Sequence, residues 1–328
     1  MSETRSLRHG VDAATAGQPR TAPWRRRDGL AVYRIGEGEP IFLMPGPHRF
    51  ERPGLRCADE LIAELRGIRR RVITYDPPGS GFSTRPARPG LLEMLDCADE
   101  ALRTAYVDGP VDIVGHSMGG LVALAFALER PSRVRRLVLV GTGSGGPAYM
   151  NAPGALWNRT HPRFWRMAML SILHLVWPAR GPERLLNNLI HVESFLDRTL
   201  ADVRPVTVAD WFRRREGWTG WHWQARKLDY SSRLGEIEVP CLVLCGRHDP
   251  QYPLACSKEL AAGIRGAELV IFERSGHYPY IEEHARFHAA LESFLADREG
   301  RPRGCRSVGP TPLGLLVGGE DDAGVGGM

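Results

Sequence analysis

One serine in this 328-residue chain sits where its neighbours would make it reactive. Val111-Asp112-Ile113-Val114 runs into Gly115-His116-Ser117-Met118-Gly119-Gly120 and then into the apolar stretch Leu121 to Leu128. Strand, G-x-S-x-G and helix in that order describe a sharp, strained turn that projects the Ser117 Oγ from the carboxyl edge of a sheet, with small flanking residues avoiding backbone clashes. The helix start aims amide groups at the same spot. An incidental turn serine is the bland alternative, and the strand-to-helix context argues against it.

A hydroxyl is a weak nucleophile at neutral pH, so Ser117 needs a base, and the base needs a partner that fixes its tautomer. The apolar run Val239 to Cys245 ends in Gly246-Arg247-His248-Asp249-Pro250. The next run, Leu269 to Phe272, ends in Glu273-Arg274-Ser275-Gly276-His277. Asp249 and His277 therefore fall at the same sheet edge, one strand apart. A loop aspartate or histidine alone is more often structural; the order Ser, Asp, His and the strand-end positions together assign a triad of Ser117, Asp249 and His277. The oxyanion of acyl transfer needs two backbone N–H donors. Met118 supplies one, and Gly46 in Met44-Pro45-Gly46-Pro47-His48 is the natural second, because Pro45 and Pro47 carry no N–H; His48 is the substitute.

Positioning these residues requires a scaffold of buried strands. Ile41 to Met44, Val72 to Tyr75, Val111 to Val114, Leu137 to Val140, Cys241 to Cys245 and Leu269 to Phe272 are short apolar runs. They alternate with helix patterns at Ala58 to Arg66, Leu91 to Val107, Met118 to Glu129, Leu254 to Ile264 and Ile281 to Asp297. That rhythm predicts an α/β fold with a mostly parallel sheet and helices on both faces. Strand signals stop between 143 and 233, which predicts an inserted helical cap between core segments 29–142 and 234–298. Seven of the eight tryptophans (Trp157, Trp165, Trp177, Trp211, Trp218, Trp221 and Trp223) lie in it, either as an aromatic roof over the site or as the apolar mass of a small subdomain. Residues 1–28 and 299–328 read as disordered tails, the second rich in Gly and Pro.

Composition excludes several other functions. The net charge of +5 is almost wholly arginine, since Lys227 and Lys258 are the only lysines, and it is scattered among acidic residues. No basic reading face emerges, so no nucleic-acid partner is expected. The apolar-leaning Met167 to Trp177 is far shorter than the ~20 residues of a membrane span, and no secretion signal is evident; a soluble, cytoplasmic protein is expected. The six cysteines lack CxxC pairing and read as small core residues. Gly141-Thr142-Gly143-Ser144-Gly145-Gly146 matches a dinucleotide loop formally but lacks the following acidic residue, and reads as a flexible exit into the cap. His284 and His288 share a helix face without a glutamate between them and read as ordinary helix residues, as His116 and His248 read as packing or loop residues. No metal or organic cofactor is implied.

Asp76-Pro77-Pro78-Gly79-Ser80-Gly81-Phe82-Ser83, the turn around Ser117, Gly246-Arg247-His248-Asp249 and Ser275-Gly276-His277 together resemble the α/β-hydrolase superfamily, and within it look most like the prolyl iminopeptidase-like group. The likeness covers roughly residues 30–297. It departs from the group where an H-G-G-P loop would stand, here Met44-Pro45-Gly46-Pro47. The group recognises a free amine through cap glutamates, for which Glu183, Glu193 and Glu216 are the candidates here. A cap richer in arginine than acid would instead suit an acidic or aromatic acyl group.

These readings converge on a serine hydrolase that cleaves an ester, lactone, amide or C–C ketone bond of a small molecule. A prolyl iminopeptidase-like aminopeptidase is the nearest rival. A non-hydrolytic binding or acyl-handling protein of a biosynthetic pathway is the reading from another class. The oligomeric state is not legible in the sequence.

Overall fold

In the computed structural model, residues 22–46, 56–86, 90–145, 149, 151–177, 179–203, 205–212 and 228–296 are described. The strands are β1 (Arg25–Arg27), β2 (Leu30–Ile35), β3 (Glu39–Met44), β4 (Arg70–Asp76), β5 (Val111–His116), β6 (Val134–Val140), β7 (Cys241–Gly246) and β8 (Glu268–Phe272). They form one eight-stranded sheet in the order β1-β2-β4-β3-β5-β6-β7-β8. From β4 to β8 every neighbouring pair is parallel, while β2 runs antiparallel to β4 and β1 antiparallel to β2.

Alternation along the strands sends side chains into two cores. Phe42, Met44, Ile113, Leu137 and Leu139 join one cluster, and Ile41, Leu43, Val114, Val138 and Val140 the other. On the first face lie α2 (Leu91–Thr104) and α3 (Met118–Glu129), and on the second α1 (Arg56–Gly67), through Leu61, Ile62 and Leu65. Because α3 is buried along nearly its whole length, it is apolar on all sides, as a helix sealed between sheet and neighbours must be. Between β6 and β7 the described residues contain no named strand; they form α4 (Phe164–Val176), α5 (Arg180–Glu193) and α6 (Val208–Phe212). The chain then continues through α7 (Leu254–Gly263), α8 (Pro279–Glu282) and α9 (His284–Ala296). The last two replace the single helix expected from Ile281 to Asp297; Asp297 lies outside the described residues.

Two differences from the expected elements have physical causes, and one expected turn shows why its residues stand there. Arg25–Arg27 is an edge strand where a tail is expected, because Asp28 (φ 44°) and Gly29 (φ 79°) form a two-residue hairpin loop that pairs Arg27 with Leu30. The rest of that tail, residues 1–21, and the second tail lie outside the described residues. Helix α2 ends before Val107: Tyr106 turns left-handed (φ 60°), Val107 N donates to Leu102 O at 2.9 Å and Tyr106 N to Arg103 O at 3.1 Å. This is a Schellman ending with tyrosine in the usual glycine position, its ring edge-on to Trp24 at 6.2 Å. The D-x-x-G-x-G-x-S stretch folds about Asp76, whose Oδ2 accepts from Tyr33 OH at 2.7 Å and Phe82 N at 2.6 Å. A Cβ on Gly81 would lie 1.9 Å from that oxygen, which is why glycine stands there.

The amino edge of the sheet is held by charge. Asp112, fully buried, takes a two-pronged contact from Arg135 at 2.8 Å on each oxygen, and Arg70 and Arg136 approach at 3.4 and 3.6 Å. Arg70 and Arg136 also donate to Leu295 O at 2.8 and 3.1 Å, tying in the end of α9. Removing the carboxylate leaves Arg136 and Arg70, whose side chains are largely shielded from water, without their counter-charge, a loss of on the order of 3 kcal/mol. Asp112→Ala is therefore expected to lower the denaturant midpoint strongly while the protein that remains folded keeps its specific activity, since this edge is opposite Ser117; urea titration with parallel assays checks both.

Candidate active site

Ser117 joins β5 to α3 with φ 55° and ψ −127°, a conformation that costs a non-glycine residue about 1–3 kcal/mol and persists only where its surroundings enforce it. Here the enforcement is visible. Ser117 N donates to Val140 O at 2.9 Å, Thr142 Oγ1 donates to Ser117 O at 2.7 Å, and Gly120 N donates to the same oxygen at 3.0 Å. The helix doubles back so closely that a Cβ on Gly115 would stand 2.5 Å from Gly119 O, and one on Gly120 2.5 Å from the Thr142 methyl.

Asp249 and His277 follow β7 and β8 at the same edge, and both are buried, at 3% and 1% exposure. His277 Nδ1 lies 2.7 Å from Asp249 Oδ2. A carboxylate only accepts, so Nδ1 carries the proton and Nε2 is the basic nitrogen of the neutral ring. The other carboxylate oxygen accepts from Gln251 N at 2.7 Å and Tyr252 N at 2.9 Å, so the turn after Asp249 aims Oδ2 at the imidazole. Tyr252 lies parallel to the His277 ring, with centroids 6.1 Å apart, and donates its hydroxyl to Met118 sulfur at 3.0 Å. Met118 is the first residue of α3, where backbone N–H groups have no acceptor within the helix. Gly46 is buried just beyond β3, at the same edge; His48 lies outside the described residues.

Sequence reasoning missed several residues here. Gly141, expected in a flexible exit, is a close-approach position instead: residues 141–145 are buried, and a Cβ on Gly141 (φ 50°) would press within 3.2 Å of both Asp249 Oδ2 and His277 Nδ1. His116 donates from Nε2 to His277 O at 3.0 Å and packs on Tyr278 and Tyr280, so it steadies the histidine loop. Ser194 O accepts from His277 N at 2.7 Å, and Ser194 Oγ accepts from Gln251 Nε2 at 2.8 Å. The only foretaste of these contacts in the sequence is the type of residue beside each motif, since each partner is distant along the chain.

His284 and His288 both contact the carboxylate of buried Glu64, the second at 3.1 Å, and burial raises the Glu64 pKa. Cys97, Cys241, Cys245 and Cys256 are free and buried; burial pushes the Cys245 and Cys256 thiols up to about 12, so neither is a ready nucleophile. Trp177 Nε1 donates to Trp211 O at 2.8 Å, and the Trp211 ring lies against Gly181, so these two tryptophans knit α4, α5 and α6 together. Trp165 is exposed, and Trp218, Trp221, Trp223 and Glu216 lie outside the described residues. Arg163 and Arg198 reach Glu193 at 3.3 and 2.8 Å, and Arg184 reaches Asp210 at 2.6 Å. Among the described residues there is no group of three or more His, Cys, Asp or Glu able to hold a metal ion, and no helix long and apolar enough to cross a membrane.

Comparison with known proteins agrees with this architecture. A 2-hydroxymuconate semialdehyde hydrolase of Pseudomonas putida is 32% identical over 298 residues, covering 86% of this chain and 98% of its own. A 2-hydroxy-6-oxononadienedioate/2-hydroxy-6-oxononatrienedioate hydrolase of Cupriavidus pinatubonensis is 33% identical over 239 residues, 69% of this chain and 76% of its own. These names differ from the prolyl iminopeptidase-like likeness expected from the motifs. In fold, the chain is similar to an alpha/beta fold family hydrolase from Bacillus anthracis, with TM-score 0.65 and 21% identity, over 81% of this chain and 95% of that one. The model of the alpha/beta hydrolase family matches residues 12–290, and the chain belongs to that family of hydrolases.

Proposed function

We propose that the chain hydrolyses an acyl bond of a small molecule through Ser117, His277 and Asp249. The observation that carries this reading is the buried 2.7 Å contact of His277 Nδ1 with Asp249 Oδ2 beside the strained Ser117 turn. Ser117 Oγ attacks the substrate carbonyl as His277 Nε2 takes its proton, and the oxyanion that forms accepts from Met118 N and Gly46 N. The leaving group departs with the proton from His277. Water, deprotonated by the same nitrogen, then attacks the acyl-serine, and the acid leaves as Ser117 regains its proton. Asp249 keeps Nδ1 protonated and balances the imidazolium.

For the substrate, the names of the two relatives support a C–C bond beside an aldehyde or ketone carbonyl, with a conjugated hydroxy acid on the departing carbon. Such a carbon leaves only because conjugation takes up its electron pair before it is protonated. The aminopeptidase reading needs a cap carboxylate free to meet an amine. Glu193 is held by two arginines, and no observation on Glu183 favours that role. We take residues 143–233 as the cap that selects the substrate; its ends meet where Gly145 bridges Asp229 and Tyr230 N donates to Ser144 O at 2.9 Å.

Three outcomes are expected. A fluorophosphonate should label Ser117, and Ser117→Ala should abolish both labelling and turnover, whereas unchanged turnover would refute the nucleophile; Asp249→Asn should lower kcat by about 10⁴-fold. In a side-by-side assay, a 2-hydroxy-6-oxo-dienoic acid should turn over faster than short nitrophenyl esters, and proline-naphthylamide should not turn over; proline release would favour the aminopeptidase. Gly141→Ala should lose about 1–2 kcal/mol of stability for its left-handed backbone and also lower kcat, by crowding the Asp249–His277 contact; a variant that lost stability alone would count against that crowding.

A further inference from the structure

We propose that Glu282 is a positioning residue for His277, its carboxylate clamping the histidine loop to residues 196–197 of the helical insertion so that the insertion sets where the imidazole stands. This rests on the triad reading and adds to it the device that aligns the base.

The geometry is specific. Glu282 closes α8, and its Oε2 accepts from Gly276 N at 2.6 Å while Oε1 accepts from Leu196 N at 2.7 Å and Asp197 N at 3.2 Å. One carboxylate thus joins two chain segments about eighty residues apart, through charge-assisted bonds roughly twice as strong as neutral ones. The next amide, His277 N, donates to Ser194 O on the same segment. The approach is close: a Cβ on Gly276 would lie 2.2 Å from Ser194 O. Consecutive amides at 276 and 277 are therefore both satisfied along the interface with residues 194–197. Neighbouring Glu283 also serves this loop, accepting from Arg274 N at 2.8 Å and Ser275 Oγ at 2.7 Å, but those bonds stay within residues 274–283. Glu282 is the carboxylate that crosses to the insertion. The Asp249 loop is tied to the same place, through Gln251 and Ser194.

The consequence is mechanical. Residues 194–197 follow directly on α5, so a displacement of that helix is carried by Glu282 and Ser194 into the main chain of the base. Proton transfer is sensitive to such shifts, since a displacement of about 1 Å costs on the order of 10²-fold in rate.

The test compares Glu282→Ala and Glu282→Gln with the full-length wild-type chain, normalised to active sites titrated with fluorophosphonate. Glutamine keeps one acceptor oxygen and turns the other into a donor facing a donor, so it should rescue part of the loss. We expect kcat per titrated site to fall about 10- to 100-fold in Glu282→Ala and less in Glu282→Gln, with KM within about twofold of wild type and slower labelling of Ser117. Wild-type kcat per titrated site in both variants would overturn the proposal, as would a rise in KM with kcat unchanged. If the alanine variant does not fold, the glutamine variant alone decides on the same two readouts. Should Ser117→Ala retain activity, the triad itself is wrong; should Ser117→Ala be inactive while the Glu282 variants turn over normally, only the clamp is wrong.

Discussion

The carboxyl edge of this sheet depends on one backbone turn that leaves no room for side chains around it. With Ser117 at φ 55°, α3 must double back across β5, and that crossing is closed to any Cβ at Gly115 or Gly120. Thr142 then fits against Gly120 and donates to Ser117 O, which draws the end of β6 into the turn. Gly141, one residue earlier, is thereby brought against the Asp249–His277 contact. A strained serine, three glycines and a threonine form one run of close contacts from Ser117 to His277. The strain is sustained because each neighbour is itself packed on a strand that the sheet fixes.

The position of Ser117, Asp249 and His277 at one sheet edge was readable in the sequence, because each follows directly on an apolar run that forms a strand. The six core strands were readable too, as apolar runs, although β8 at the edge of the sheet is only half-buried. Other features escaped for physical reasons. The β1–β2 hairpin carried its own signal in Asp28-Gly29, but its edge strand is three arginines and offers no apolar alternation. Tyr106 ends α2 in a conformation that glycine usually supplies, and it is settled there against Trp24, a contact made across eighty-two positions of chain. Glu282, His116 and Ser194 act through partners remote in sequence, and no local pattern announces such pairs. The finer family likeness rested on short turns. Asp76 and Gly81 explain one of those turns by local hydrogen bonding and crowding, which says nothing of substrate.

The two edges of the sheet are built on different physics. At the amino edge, buried Asp112 gathers three arginines, of which Arg135 reaches the surface, and Arg70 and Arg136 tie in the end of α9. At the carboxyl edge, polar groups are held mainly by backbone amides and carbonyls, which fix direction without adding net charge. Asp249 shares itself between two amides and one imidazole.

The ends of the helical insertion meet at Ser144–Gly145 and Asp229–Tyr230. Because the chain leaves and re-enters the core at nearly one point, the sheet does not register how much polypeptide lies between. Each doubling of a loop closed in this way costs only about 0.6 kcal/mol in entropy, less than the roughly 1 kcal/mol lost in an average single substitution. The insertion can therefore change in length and sequence over evolutionary time at little expense to the fold, with its freedom checked where residues 194–197 rest on the histidine loop and where Ala152 and Ala155 join the first core cluster.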